Sequence, residues 1–486
     1  MNYYIGVDLG TSSLKSLLMD AQGKIIKQFS VGYDVLYPQS GWTEQNPSDW
    51  IAALKKAAKT VAVGYENNIK GISFGGQMHG LVVLDDNDNV IRPCILWNDG
   101  RTEKQTKYLN EKIGKNVLSE LTGNIAFAGF TAPKLLWLYE NERNNFQKIS
   151  KLMLPKDYLV YYLCGAYCTD FSDASGTLLL DVKNKRWSKT MLDICHLKEE
   201  QMPTLCESFQ AVGCLKEQVS QELGLPKCVK VIVGAGDNAA AAIGTNTVAN
   251  GSCNISLGTS GTLFIAQDCF GVDDNNALHS FVHATGKWHL MGCILSAASC
   301  RKWWLENVLR SDDYENDQQL CADVDTEDIL FLPYLSGERS PHNDVNAKGA
   351  FVGLTASTTR AQMSKAVMEG VAFAIRDCLE VAKLNGLCPK NVKLCGGGAK
   401  SVVWQQIFAD VLNLPINIPK TEQGPGYGAA ILAMVGCGEY ETVQQAAEKI
   451  TAVKNTVFPI SANAQKYERK YLKYKKLYPL LRQLQD

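Results

Sequence analysis

No Cys-x-x-Cys pair occurs among the 16 cysteines of this chain of 486 residues. That excludes a zinc ribbon or a thioredoxin-type site and argues against a compact disulfide framework, so the cysteines read as reduced, buried small hydrophobes. Charge of one sign is lacking too. With 49 Lys and Arg against 50 Asp and Glu, there is no electrostatic footprint for nucleic acid or an anionic membrane, and small molecules are the expected partners. No apolar run approaches bilayer length, and the first ten residues enter a strand-like stretch with no charged n-region or cleavage site. A cytoplasmic protein with no membrane partner is therefore expected. Walker-type Gly-x-x-x-x-Gly-Lys-Ser/Thr is missing, as is a glycine fingerprint that opens a helix as a dinucleotide site would. What is present is a length that allows about two to three domains, each with a real core, and a 46% hydrophobic content that excludes global disorder.

Hydrophobic periodicity predicts strands over 3–7 and 14–19, a turn over 20–23 and a third strand over 24–35, which together form an antiparallel meander. Asn46 is placed to cap the next helix, with Pro47 at its first position, Asp49 in its first turn, and Trp50, Ile51, Leu54, Ala57 and Ala58 on one apolar face. Strands over 69–74 and 81–84 follow. This opening recurs: IGVDLGTS at 5–12 is echoed by CNISLGTSG at 253–261, with the two Leu-Gly-Thr-Ser turns 248 residues apart, about half the chain. A strand-turn-strand match at half-length points to a duplicated domain, divided near Gly244 into 1–244 and 245–486. The linker is not rich in Pro or Ser, so the halves are expected to pack closely around a cleft.

A Gly-Thr-Ser turn offers backbone N–H groups and small hydroxyls to a phosphate, and two such turns across a cleft could grip a polyphosphate. An ordinary hairpin turn accounts for either one alone. A third glycine-rich turn, 395–399, follows a strand over 391–394 and precedes a helix over 401–412, a setting that suits close approach of a nucleotide's ribose or base. Asp8, at the end of the first strand, is either turn chemistry or, beside a polyphosphate, the carboxylate Mg²⁺ needs. Asp237 follows the apolar run 231–233 and two glycines and precedes four alanines one residue on, which predicts an N-cap whose pKa the helix start holds low. In phosphoryl transfer through a loose transition state, an ionised carboxylate there would orient a hydroxyl and accept its proton late. Gln77 and His79 lie between glycines at a strand end, and Trp97 and Asp99 recur in 95–101. Amide, imidazole and carboxylate groups against an aromatic wall suit a sugar or polyol.

With these residues in view, the chain resembles the FGGY carbohydrate kinase family, and within it the branch that acts on xylulose. The likeness runs over essentially the whole chain: GFTAPKLLW at 129–137, GAFVGL at 349–354 and AVMEG at 366–370 are family segments, while GQMHG at 76–80, ILWNDGR at 95–101, LPKDY at 154–158 and FLPYLSGER at 331–339 are similar to the xylulose branch. The resemblance implies an α/β fold of two duplicated actin-like (ribonuclease H-like) domains around a central cleft where ATP and sugar meet. It implies ATP-dependent phosphorylation of D-xylulose to D-xylulose 5-phosphate, with Asp237 as base and Asp8 supporting Mg²⁺-ATP. Gln77, Met78, His79, Trp97, Asp99 and Asn238 would lie about the sugar, with Met78 and His79 touching it. Gly10, Thr11 and Ser12, Gly258 and Thr259, and Gly397 and Gly398 match the nucleotide turns, and a homodimer is left open.

Two other readings are carried forward. One is a kinase for another ketose or polyol, such as ribulose, because motifs constrain reaction better than stereochemistry. The other is an actin- or chaperone-like ATP-binding protein, which would share the turns but need neither Asp237 nor the 77–79 cluster. The basic tail, Lys466 to Gln485, carries Tyr467, Tyr471, Tyr474 and Tyr478 at helical spacing and is read as an amphipathic helix packing its tyrosines on the second domain.

Overall fold

The computed structural model describes residues 1–326, 328–421 and 424–484; Gln485, the last residue of the tail read above, and Asp486, the end of the second half, lie outside them. The opening meander is formed by β1 (Tyr3–Leu9), β2 (Ser13–Asp20) and β3 (Ile25–Gly32). Beyond β1 lie β4 (Ile69–Gly76), parallel to it, and then β5 (Ala211–Cys214) and β6 (Lys230–Ile232), while β7 (Ala235–Gly236) pairs with the end of β4. The sheet order is β5-β6-β4-β1-β2-β3.

The second half repeats this arrangement. Strands β8 (Cys253–Leu257), β9 (Gly261–Gln267), β10 (His279–Val282), β11 (Trp288–Ile294), β12 (Val392–Cys395), β13 (Ile416–Pro419) and β14 (Val453–Val457) are ordered β10-β11-β9-β8-β12-β13-β14. From β11 to β14 the directions match the first sheet strand for strand: an antiparallel trio, two parallel additions and an antiparallel edge. One connection differs. The edge strand β5 precedes its neighbour β6 in the chain, whereas β14 follows β13.

On one face of the first sheet, α1 (Pro47–Ala62) and α2 (Pro155–Cys164) share a core with Ile5, Val7, Ile72 and Phe74. Pro47 starts α1 as its spacing predicts, and Trp50, Leu54, Ala57 and Ala58 are buried with Ile51 at the margin. Asn46 holds the N-cap position, but its side chain makes no capping hydrogen bond, so the fixed φ of Pro47 and the acidic first turn remain as start signals. The opposite face meets α3 (Asp237–Gly244). In the second lobe, α4 (Arg360–Leu384) and α5 (Val402–Leu412) cover one face of β8, β9 and β12. Thr359 caps α4 and Ser401 caps α5, each accepting from a backbone N–H in the first turn.

The next helix, α6 (Gly424–Cys437), leaves that lobe: Ile431, Leu432 and Met434 pack with Tyr4, Leu17 and Met19 of the first sheet. Each such fully buried side chain contributes roughly 1.5–3 kcal/mol. The approach is possible only at glycines. A Cβ on Gly6 would lie 2.0 Å from the Gly426 carbonyl oxygen, and one on Gly428 would lie 1.8 Å from that of Ala240. Tertiary packing thus closes the first lobe's core with residues from the second half of the chain. The tail forms α7 (Ser461–Tyr474), with Tyr467, Tyr471 and Tyr474 buried in the second lobe's core and Tyr478 packed against it. No helix of the described residues is long and apolar enough to cross a membrane.

Candidate active site

Three chain segments far apart in sequence converge where the first sheet ends. Asp8 is the penultimate residue of β1, Asp237 is the first residue of α3, and Gly424 to Gly426 open α6. A Cβ on Gly75 would meet the Cβ of Pro425 at 2.7 Å, and one on Gly426 would lie 3.5 Å from that of Asp8, so small residues bring the strand ends against this helix start. Asp237 departs from expectation in two ways. The N-cap is Gly236, not Asp237, and the Asp237 Oδ1 accepts hydrogen bonds from the backbone N–H (2.7 Å) and Nδ2 (2.9 Å) of Asn238. Its pKa is not held low. Burial pushes it up to about 6 against the pull of those two donors, because removing a carboxylate from water outweighs two hydrogen bonds. Burial likewise pushes Asp8 up to about 7, with Asp237 adding to the shift and Lys15, its cross-strand partner on β2, opposing it. Both acids are half-buried.

Asp237 and Asn238 line a cavity of about 270 Å³ whose other walls are Ser256, Thr262 and Gly396 of the second lobe and Pro425 of α6. Of the three glycine turns, the third borders it through Gly396, and neither the 10–12 nor the 258–259 residues are among its walls. Gly10 closes the first turn by donating to the Ser13 carbonyl; the Thr11 carbonyl accepts from Gln45 Nε2, the Thr11 hydroxyl accepts from the Trp97 indole N–H at 2.9 Å, and Ser12 is exposed. The carbonyls of Gly258 and Thr259 accept from Ala298 and Ala297 at the start of the next helix, with Thr259 exposed. In the third turn the division is steric. Gly396 borders the cavity at φ +87°, Gly397 is open, and Gly398 is confined between Leu257 and Trp404.

Met78 and His79 are brought to the same corner as Asp237. Met78 Sδ lies 4.0 Å from Asn238 Nδ2, and a Cβ on Gly236 would meet it at 2.9 Å. His79 has φ +68°. Its ring stacks on Phe130 at 4.7 Å, and Nδ1 is 2.7 Å from the Gly176 carbonyl. Burial first, and the nearby Lys134 cation second, push its pKa down to about 3. The ring is therefore neutral, with the proton on the nitrogen that faces the carbonyl and Nε2 left as an acceptor. Gln77 is buried behind this pair; its Nε2 donates to Gln45 Oε1, which also accepts from Trp50.

Asp99, expected about the sugar, sits with Trp97 in a cavity wall, but its oxygens are already engaged. Its oxygens accept from the Thr43 N–H and from Arg101 N, Nε and Nη2, and Arg101 is itself stacked 3.8 Å over Trp42. With its acceptor sites filled and its side chain fully enclosed, Asp99 fixes the loop that carries Trp97 and has nothing left for a ligand. Trp97 and Asn98 form one wall of a larger cavity of about 690 Å³, faced from the second lobe by Leu295, Glu338 and Arg339. Sequence reasoning missed these cleft residues, along with Ser256, Thr262 and Phe130. The signals available were the pairing of Asp8 with Ser256 at equivalent places in the repeat and, for Phe130, Glu338 and Arg339, the segments 129–137 and 331–339.

The model of the FGGY carbohydrate kinase N-terminal domain matches residues 3–244, and that of the C-terminal domain matches residues 253–437. This chain belongs to the FGGY family of carbohydrate kinases. It is 37% identical to a xylulose kinase of Staphylococcus xylosus over 485 residues, 98% of this chain and 100% of the relative. Among solved structures it is similar to a xyloylose kinase from Brucella ovis, with TM-score 0.95, 40% identity, and 99% and 100% of the two chains covered. A gluconate kinase from Lactobacillus acidophilus gives TM-score 0.94 at 27% identity, with 99% and 98% covered. The paired sheets are those of the two-domain, actin-like kinase fold, so the actin-like architecture and the sugar-kinase membership hold together in one chain.

Proposed function

We propose that this kinase transfers the γ-phosphoryl group of ATP to the terminal hydroxyl of D-xylulose, giving D-xylulose 5-phosphate, with Asp237 as the general base. The observation that carries the reading is Asp237 itself, a half-buried carboxylate that burial raises to about 6, beside Met78 and Asn238 on one side and the 270 Å³ cavity on the other. A base in that range is ionised near neutral pH yet more basic than an exposed Asp, which favours proton acceptance from an alcohol. The turns at 10–12 and 258–259, with Gly396 to Gly398, are assigned to the nucleotide. Met78, His79 Nε2, Trp97 and Asn238 are assigned to the sugar, and Gln77 supports them from behind. Trp97, by donating to Thr11, couples the sugar wall to the first phosphate turn. Closure of the lobes over both substrates would exclude water and align the hydroxyl for in-line attack.

Asp8 fits a magnesium ion carried in with ATP. Burial first, and the negative charge of Asp237 second, raise Asp8, so a cation beside the two acids would be favoured, and a hard cation that keeps several waters needs only one or two protein oxygens. Among the described residues no cluster of three or more His, Cys, Asp or Glu could hold a metal without the nucleotide's own oxygens. When bound, the ion would neutralise charge on the phosphates. The protein's part is to hold Asp8 on β1 and the transferring group within reach of Asp237.

The test is a coupled ADP-release assay across D-xylulose, ribulose, polyols and gluconate, using the wild type and Asp237→Ala. D-xylulose is expected to give the highest kcat/KM. Asp237→Ala is expected to fold, bind ATP and lose ~10²–10⁴-fold in kcat. Wild-type turnover in the variant would remove Asp237 from the mechanism, and ATP hydrolysis that no sugar stimulates would favour the ATP-driven binding protein.

A further inference from the structure

Directly behind Asp237 lies a group of ionisable side chains to which the phosphoryl-transfer reading assigns no role. Lys156, at the start of α2, is fully buried, its stem packed against Gly76 at the end of β4. Its Nζ lies 2.6 Å from Asp157 Oδ1, 2.9 Å from Asp170 Oδ1 and 3.9 Å from Asp173 Oδ2, and all three acids are at most 1% exposed. The three carboxyls are not alike. Asp157 has its short contact to Lys156 and accepts the Leu154 N–H. Asp170 accepts from the Ser172 N–H and from the hydroxyls of Ser172 (2.5 Å) and Ser208 (2.7 Å). Asp173 receives no hydrogen bond on either oxygen among the described residues.

One contact ties this group to the active site. The Ser172 hydroxyl, which donates to Asp170, accepts the backbone N–H of Gly236 at 3.1 Å. Gly236 is the N-cap of α3 and immediately precedes Asp237. The path therefore runs from the Lys156 ammonium through Asp170 and the Ser172 hydroxyl to the peptide that orients the base. We propose that Asp170 and Ser172 are positioning residues that fix the Gly236–Asp237 corner, and that Asp173 enters the cluster as a neutral carboxylic acid.

The charge state follows from the contacts. One ammonium faces three carboxyls; two are within hydrogen-bonding range of it and carry further donors, while the third is farther away and has none. A buried carboxylate without a donor is far more costly than the protonated acid in the same place. Burial, with Asp157, Asp170 and Asp237 adding to it against Lys156, pushes Asp173 well above the ordinary carboxylate range. A neutral Asp173 also spares Asp237 a second like charge behind it.

This inference rests on Asp237 being the base, and the experiment separates the two. Ser172→Ala and Ser208→Ala each remove one hydroxyl donor from Asp170, but only Ser172→Ala removes the contact to Gly236. Ser172→Ala is expected to lower kcat roughly tenfold or more with KM for sugar and ATP within about twofold, while Ser208→Ala, at a similar change in Tm, leaves kcat near wild type. Should Ser172→Ala fail to fold, Ser172→Cys, which keeps the bulk but accepts poorly, carries the same comparison. Asp173→Asn, matching a neutral acid in shape, is expected to keep kcat within about twofold and to remove a protonated-carboxyl C=O stretch from the infrared spectrum of the full-length enzyme. The proposal is overturned if the two serine variants lose kcat equally, if Ser172→Ala raises KM rather than lowering kcat, or if wild type shows no stretch that Asp173→Asn removes. Retained turnover in Asp237→Ala would sink the base assignment instead, whatever the serine variants do.

Discussion

The two copies of the repeat share strand directions and turn sequence but differ at two alternate positions on one face of β1 and β8. Where the first copy has Asp8, the second has Ser256, and where the first has Gly6, the second has Asn254. The first difference divides the chemistry. Asp8 supplies charge beside Asp237, while Ser256 supplies a neutral hydroxyl to the wall of the 270 Å³ cavity. The second divides the packing. Gly6 lets α6 lie on β1, whereas Asn254, with no such helix over it, donates to the Thr245 hydroxyl at 3.0 Å near the chain's passage between the lobes. A duplicated fold has thus been given one acidic and one neutral strand end.

The comparison is broken most severely by making the first copy like the second. Asp8→Ser should lower kcat ~10²–10³-fold while leaving the fold intact, and steady-state kinetics over a range of magnesium concentrations checks it; activity near wild type would show that the acid at this strand end is dispensable. Next in size is the packing difference. Gly6→Ala forces a methyl group into the α6 backbone and should cost ~3 kcal/mol or more, against ~1 kcal/mol for Asn254→Ala, which loses its bond to the Thr245 hydroxyl and a weak one from the Cys395 thiol. Urea unfolding of both variants measures the difference, and equal losses would refute the close-approach account.

A smaller effect concerns pH. Asp237 must be ionised to accept a proton, and burial raises it to about 6. The kcat/KM for sugar should therefore be full above that value and fall tenfold per unit as pH drops below it. A limb centred near the usual 3.8 of an Asp would contradict the burial effect. Smallest of all, Ser256→Ala should raise KM for ATP a few-fold, about one hydrogen bond's worth, with kcat little changed; the reverse split would move Ser256 from binding to the chemical step.

Much of the fold was legible because it is local. The meander, the Pro47 helix start, the helix capped by Ser401 and the tyrosine stripe of α7 follow from alternation, capping and 3.6-residue periodicity, which neighbouring residues set together. The glycine-flanked segments that carry Asp8, Asp237, Met78 and His79 could be picked out of the sequence, and the structure brings Met78 beside Asn238 and Asp8 near Asp237. Asp99 and the state of Asp237 were not legible. Asp99 reads like a sugar ligand, but Arg101 two residues on folds back to fill its oxygens. Asp237 reads like an ionised cap, but its desolvation depends on what packs around it.

While the α/β architecture came from the family resemblance, the spacing of apolar residues and the half-length repeat pointed, with no coordinates, to a duplicated chain, the turns that join its strands and the acids at the strand ends. That information is carried by residues within a few positions of one another. Only the tertiary structure decided that α6 crosses to complete the first lobe, that Ser172 reaches the Gly236 peptide, and that burial makes Asp237 more basic. Desolvation and close backbone approach depend on the segments that happen to meet in space, and no local pattern in the chain records them.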